Sequence, residues 1–341
     1  MNRKALLVIG LTLASACGGV DAADSTTAPA SSIRTGPEST ASAIEPDLPV
    51  TLADAHGDVV TVESIERIIP LDGDLAEVVF ALGLGDRVVA TDLSATFPPE
   101  ADALPEIGYQ RSLSAEPIAA FEPTVLLATD LAGPAETIDQ LRDLGYPLVM
   151  IDRPIDASGP ATKIREVAEA LGVPERGEAL AGDVQAAIDA ASEAGAAAAG
   201  DRPRVMALYL RGERVQFVFG KNSGLDWVIE AAGAIDVGTE LGVVDNAQLT
   251  AESVVRAAPD VFLVSTTGLE SVGGLDGLLA IPGIAQTPAG EAARVIAHPD
   301  QYLFGGGPRA GMLLAELVGQ LHPGIGSETR PHDPTTSTSG D

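Results

Sequence analysis

Two stretches of this 341-residue chain are copies of one another. LSAEPIAAFEPTVLLAT (113–129) and LTAESVVRAAPDVFLVS (249–265) align without a gap. In each, a hydroxyl residue and an acid open a helix, and a proline separates that helix from an apolar strand. Ser114 and Thr250 are the expected caps, and Glu116 and Glu252 stand in the first turn, where the helix dipole favours an anion. Pro123 and Pro259 close the helices, since proline lacks the amide hydrogen and biases the residue before it towards extended backbone. Copies more than a hundred residues apart mean two lobes of similar fold, not a short-period solenoid.

The sequence around the copies supports an α/β fold. Short apolar runs read as strands: RVVAT (87–91), TVLLAT (124–129), PLVMID (147–152), RVMALYL (204–210), VQFVF (215–219) and DVFLVST (260–266). Helical patterns follow several of them, as in 75–83, 135–145 and 224–233. That alternation predicts mostly parallel sheets covered by helices. Between the lobes, residues 158–199 are rich in Ala, Glu and Leu and predict helix, broken at Gly172–Pro174 into a short piece and a long one. A single long, rigid α-helix joining two lobes limits how far they move. The expected organisation is an N-terminal lobe over 49–157, the bridging helix over 158–199 and a C-terminal lobe over 200–322.

The ends read differently. Residues 1–16 carry Arg3 and Lys4 and then an apolar stretch ending in small residues, the pattern of a secretory signal peptide, too short to span a membrane. The sequence LTLASAC resembles the bacterial lipobox, which implies that Cys17 is lipidated and holds the protein to the extracytoplasmic face of the cell membrane. Cys17 is the only cysteine, so no intramolecular disulfide forms. Residues 17–48 and 323–341 are small and polar and are expected to be disordered. A formal net charge of −29 argues against a nucleic-acid partner, which needs a basic surface.

The layout as a whole resembles the ABC-importer solute-binding proteins in which one rigid helix bridges two α/β lobes, a group that binds siderophores, cobalamin, haem and metal ions. EIGYQRSLSAE (106–116), LYLRG (208–212), VFGKNSGLDWVIEAAGA (218–234) and FGGGPRAG (304–311) are similar to its haem-binding members. The resemblance implies iron acquisition with haem as the transported ligand, a haem-donor protein upstream, and permease and ATPase subunits as partners. It also implies a docking Glu on each lobe, carried here onto Glu77 and Glu230.

Two of the four tyrosines open a Tyr-x-Arg triplet, Tyr109-Gln110-Arg111 and Tyr209-Leu210-Arg211, one in each lobe. On extended backbone, residues two apart face the same way, so each Arg is expected beside its Tyr. A nearby guanidinium favours phenolate over a phenol that ordinarily titrates near ~10. Phenolate oxygen is a hard donor for ferric iron, and Tyr is a known axial ligand of haem. Tyr109 and Tyr209 are therefore the expected axial ligands. The alternative leaves each as a rim residue with its hydroxyl in water. Arg111, Arg211 and Arg309 are expected to meet the propionates, with Lys221 as a substitute; Arg309 otherwise makes a structural salt bridge. A ferric siderophore or cobalamin would keep the fold and use the same arginines with Trp227 or Phe219, and a third reading is a lipoprotein that only scaffolds other surface proteins.

A transition-metal receptor needs several converging His, Asp or Glu ligands. The four histidines do not supply them: His56 and His332 fall near the ends, His322 follows the last helix, and His298 reads as a loop residue. No G-x-S-x-G, P-loop or Ser-His-Asp arrangement points to an enzyme, and the glycine pair of LGLGD (82–86) lies between helix and strand, not between strand and helix as a dinucleotide site requires.

Overall fold

A computed structural model describes residues 45–198, 200 and 202–323. The expected signal peptide, Cys17, most of the expected tether, and His332 lie outside the described residues. The folded chain starts earlier than the composition indicated. The Asp47 amide donates to the Gly172 carbonyl at 2.8 Å, and Leu48 packs against the core.

The N-terminal lobe runs β1 (Val50–Ala53), β2 (Val59–Val62), β3 (Ile68–Pro70), α1 (Gly73–Ala81), α2 (Pro99–Asp102), α3 (Ala115–Ala119), β4 (Val125–Ala128), α4 (Ala135–Asp143) and β5 (Leu148–Met150). Strands β1 and β2 form an antiparallel hairpin, while β3, β4 and β5 make a parallel sheet in that order. The three parallel strands are buried throughout, which is why they read as unbroken apolar runs. RVVAT, expected as a strand, is not one. Gly85–Arg87 is a 3-10 turn, and only single bridges, Val88 to Ile68 and Thr91 to Glu106, tie the segment down.

The connecting segment holds α5 (Gly159–Ala170) and α6 (Pro174–Ala197), broken where expected, so the long helix is α6 alone. At about 1.5 Å per residue its 24 residues span roughly 36 Å. Close approach holds the spine together. A Cβ on Gly177 of α6 would lie 2.2 Å from the Ala168 Cβ of α5.

The C-terminal lobe runs β6 (Arg204–Arg211), β7 (Val215–Phe219), α7 (Leu225–Ala231), β8 (Ile235–Asp236), α8 (Val237–Glu240), β9 (Asn246–Gln248), α9 (Ala251–Ala257), β10 (Val261–Ser265), α10 (Thr266–Ser271), α11 (Gly274–Ala280), α12 (Pro288–Glu291), β11 (Val295–His298), α13 (Asp300–Phe304) and α14 (Ala310–Leu321). Its sheet has the order β11-β10-β6-β7-β9, with β8 beside β6. The β11, β10, β6 and β8 pairings are parallel and those of β7 antiparallel. Helix α14 lies so close on α6 that a Cβ on Gly311 would meet the Ala187 Cβ at 2.6 Å.

The repeated helix starts are not capped alike. In the second copy Thr250 Oγ1 accepts from the Ser253 amide at 3.1 Å, and Ser253 Oγ accepts from the Thr250 amide at 3.2 Å. In the first copy Ser114 makes no such bond, contrary to the sequence expectation. The residue that matches Ser253 there is Pro117, which has no amide hydrogen to offer a cap.

One buried apolar cluster runs through both lobes and the spine. It includes Leu75 and Val78 of α1, Ile164 of α5, Ile188 of α6, Val205 and Ala207 of β6, Trp227 of α7 and Leu317 of α14. Two further clusters are confined to one lobe each. Strand β6 divides its side chains accordingly: Val205 and Ala207 face the shared core, and Met206, Leu208 and Leu210 the outer one.

Candidate functional site

Tyr209 and Arg211 continue the spine-facing row of β6 past Val205 and Ala207, beyond the last parallel pair with β10 and still paired with β7, at the end where the parallel strands terminate. Such carboxyl ends are where open α/β sheets present their ligand crevices. Tyr209 packs edge-on to Phe219 of β7, with ring centroids 6.1 Å apart, and lies 6.0 Å from Phe304 at the end of α13. Phe219 and Phe304 are themselves 5.6 Å apart. The three rings form one partly buried aromatic wall.

Tyr109 of the other lobe faces this wall, near enough for hydrogen bonding to favour the protonated form of Tyr209. The two tyrosines therefore meet across the groove between the lobes and do not point to opposite outer surfaces. Extended backbone holds Tyr209, as the triplet argument required. Tyr109 is also extended, at φ −89° and ψ 132°, but Gln110–Ser112 turns into a 3-10 helix, so the same argument fails for Arg111. Arg111 is exposed, and its charge still acts on Tyr209.

Arg211 is placed differently from the expectation. Its guanidinium carbon sits 4.5 Å above the centre of the Tyr209 ring, stacked on the face and not beside the hydroxyl. Its Nη1 donates to the Leu210 carbonyl at 2.8 Å, and its Nη2 pairs with Asp300. The phenol is nonetheless not acidified. Burial, with hydrogen bonding to Tyr109, outweighs the Arg211 and Arg111 charges and pushes Tyr209 up to about 12.

Two expected site residues lie elsewhere, at the base of the groove. Glu77 is buried, its side chain 4% exposed, and does not present the solvent-facing carboxylate that docking needs. It receives Arg309 as a fork, Nε to Oε1 at 2.8 Å and Nη2 to Oε2 at 2.7 Å. That pairing engages Arg309, which also stacks on Phe97 at 3.7 Å and on Tyr302 at 4.9 Å. The structure thus gives Arg309 the salt-bridge reading. The glycines before it approach Gln301, Asp74, Glu77 and Pro154. Burial raises the Glu77 carboxyl, and the Arg309 bonds and charge oppose that rise.

The remaining expectations divide. Glu230 is exposed, as a docking residue must be, and Lys221 is also exposed. Trp227 is a core residue at 8% exposure, so of the two proposed aromatic contacts only Phe219 belongs to the groove. His298 is not a loop residue: it ends β11, is buried, and its Nε2 lies 3.2 Å from Gln320 Oε1.

Sequence reasoning missed Phe304, Asp300, Gln301 and a set of acids, the buried Asp72 and Asp92 and the half-buried Asp74. Asp72 is pushed up to about 6, first by burial and then by the Asp74 charge. Asp92 is pushed up to about 7, chiefly by burial. Phe304 was legible as the aromatic residue opening FGGGPRAG. Nothing in the sequence marked Gln301.

Residues 68–302 match the family described as periplasmic binding protein. A solved periplasmic haem-binding protein, RhuT of Roseiflexus sp. RS-1 in apo form, is 49% identical; the match covers 76% of this chain and 99% of that one, with a TM-score of 0.74. The periplasmic haem-binding protein BhuT in complex with two haems is 37% identical over 75% of this chain and 98% of that one, with a TM-score of 0.70. Among curated proteins, the vitamin B12-binding protein of Pectobacterium carotovorum is 23% identical over 75% of this chain and 88% of its own length. The family match spans well over half of the sequence, and the chain belongs to the periplasmic binding protein family.

Proposed function

We propose that this chain is the substrate-binding component of an ABC importer, that it takes haem between its lobes, and that Tyr109 and Tyr209 reach the iron from opposite sides. The observation that carries this reading is the meeting of the two phenols against the wall of Tyr209, Phe219 and Phe304. An aromatic face suits a flat macrocycle, and two hard oxygen donors suit ferric iron.

Arg211 and Arg111 supply positive charge at the groove for the propionates; Arg211 reaches them by leaving Asp300. Haem arrives from a donor protein and leaves when the permease separates the lobes. For docking, exposed acids at matched places on the two lobes serve better than the buried Glu77. Glu116 and Glu252, in the first turns of the repeated helices, are both exposed and repeat-related, and Glu230 is a further exposed candidate. The Cys17 sequence context supports export and lipid anchoring on the extracytoplasmic face.

Titration with hemin tests the proposal. A saturable Soret change in the native chain, weakened or shifted in Tyr209→Phe and Tyr109→Phe, is the expected result. No saturable change would end the haem reading. The vitamin B12-binding relatives favour cobalamin as the second reading, and a saturable cobalamin spectrum insensitive to Tyr209→Phe would establish it instead.

A further inference from the structure

Gln301 is 7% exposed and sits on α13 of the C-terminal lobe, yet its side-chain hydrogen bonds go to the other lobe. Its Oε1 accepts from the amides of Thr96 at 2.7 Å and Phe97 at 2.8 Å, and from Thr96 Oγ1 at 3.2 Å. Its Nε2 donates to the carbonyls of Gly73 at 2.8 Å and Phe97 at 2.9 Å, and lies 3.2 Å from Glu77 Oε2. Eight residues on, Arg309 forks onto the same Glu77 and clamps the Phe97 ring. Lys163 of α5, wholly buried, completes the set by pairing with Asp74 of α1 and donating to the Gly305 carbonyl at 2.7 Å. Three side chains thus join the lobes at the base of the groove, all converging on the first turns of α1 and the Thr96–Phe97 loop.

We propose that these contacts form a latch, so that the lobes pass between a latched and an unlatched state in one step and do not swing freely on α6. Two features of the contacts support this. They are mutually dependent, because Gln301 and Arg309 share both Glu77 and Phe97, and a rotation that lengthens one lengthens the others. They also include two largely buried ion pairs, Arg309 with Glu77 and Lys163 with Asp74. A buried ion pair resists partial separation, since half-opened charges have lost each other and have not gained water. Packed interfaces of this kind have discrete arrangements and do not deform continuously. The shared apolar core also restrains the lobes, but it is non-directional and fixes no particular angle. The work of unlatching then falls to docking on the permease. This inference does not depend on which ligand the groove carries.

The test is a distance measurement between the lobes in the full chain with Cys17→Ser. Asp139→Cys on α4 and Arg256→Cys on α9 carry spin labels; both positions are exposed, at 73% and 63% of the side chain. Pulsed electron paramagnetic resonance should give one narrow distribution for the native latch. The pair Gln301→Ala with Arg309→Met should add a second, longer population holding roughly a third or more of the molecules. A distribution unchanged by the pair would overturn the proposal. If the pair fails to fold, Gln301→Ala alone decides by hydrogen exchange. The Thr96 and Phe97 amides, which donate to Gln301, should exchange at least about tenfold faster, against unchanged rates in the outer core. Unaltered exchange at those two amides would overturn it equally.

Discussion

Tyr209 makes the sharpest quantitative test, because the structure leaves it a phenol that is hard to ionise. With its pKa pushed up to about 12, producing the phenolate at pH 7.5 costs roughly 6 kcal/mol, compared with about 3 kcal/mol for an ordinary tyrosine. Ferric iron has to offset that cost, and binding has to release the phenolic proton. Hemin affinity should therefore rise with pH, the dissociation constant falling about tenfold per unit for each phenol that gives up its proton to the iron, between roughly pH 6.5 and 9, still well below the Tyr209 pKa. The assay is a Soret titration at several pH values, joined to calorimetry in buffers of different ionisation enthalpy to count released protons. Tyr209→Phe should lower the affinity and remove this component of the pH slope, with Tyr109→Phe as the control for the opposite lobe. An affinity independent of pH in the native chain, or the same slope in Tyr209→Phe, would refute phenolate ligation by Tyr209.

Other outcomes follow from the buried charges and the repeated caps. Arg309→Met strands the Glu77 carboxylate and should cost about 3–5 kcal/mol at pH 8 by denaturant unfolding. Because Glu77 is already raised by burial and would rise further, it takes up a proton more easily in the folded state. The deficit should shrink at pH 5. Asp92, pushed up to about 7 from 3.8, binds its proton more tightly when folded than unfolded. Its contribution to stability should decline by up to about 4 kcal/mol between pH 4 and 7, and Asp92→Asn should flatten that decline. Thr250→Ala should cost about 1 kcal/mol through loss of its cap, while Ser114→Ala, which removes no cap bond, should stay within about 0.5 kcal/mol.

Much of the architecture was legible before any coordinates. The copies at 113–129 and 249–265 pointed to two lobes, five of the six expected strands formed within about two residues of their expected bounds while six of the eleven described strands were not anticipated, and the Gly172–Pro174 break divided α5 from α6 correctly. RVVAT misled because a β-branched run does not say whether a partner strand lies beside it along its whole length. Ser114 misled because a cap depends on the amide three residues later, which Pro117 lacks.

Local rules set the elements, since periodicity, proline placement and the Tyr-x-Arg spacing are all properties of near neighbours in the chain. They also found Tyr109 and Tyr209, because each triplet carries its chemistry within three residues. Glu77 and Arg309 could be judged only after folding: they are 232 residues apart, and their pairing removes one from the solvent and the other from the groove. The same holds for Tyr209, whose acidity a nearby arginine was expected to increase. How much water the folded lobes leave around a phenol is a property of the assembled surface, and here that desolvation exceeds the pull of the charge beside it.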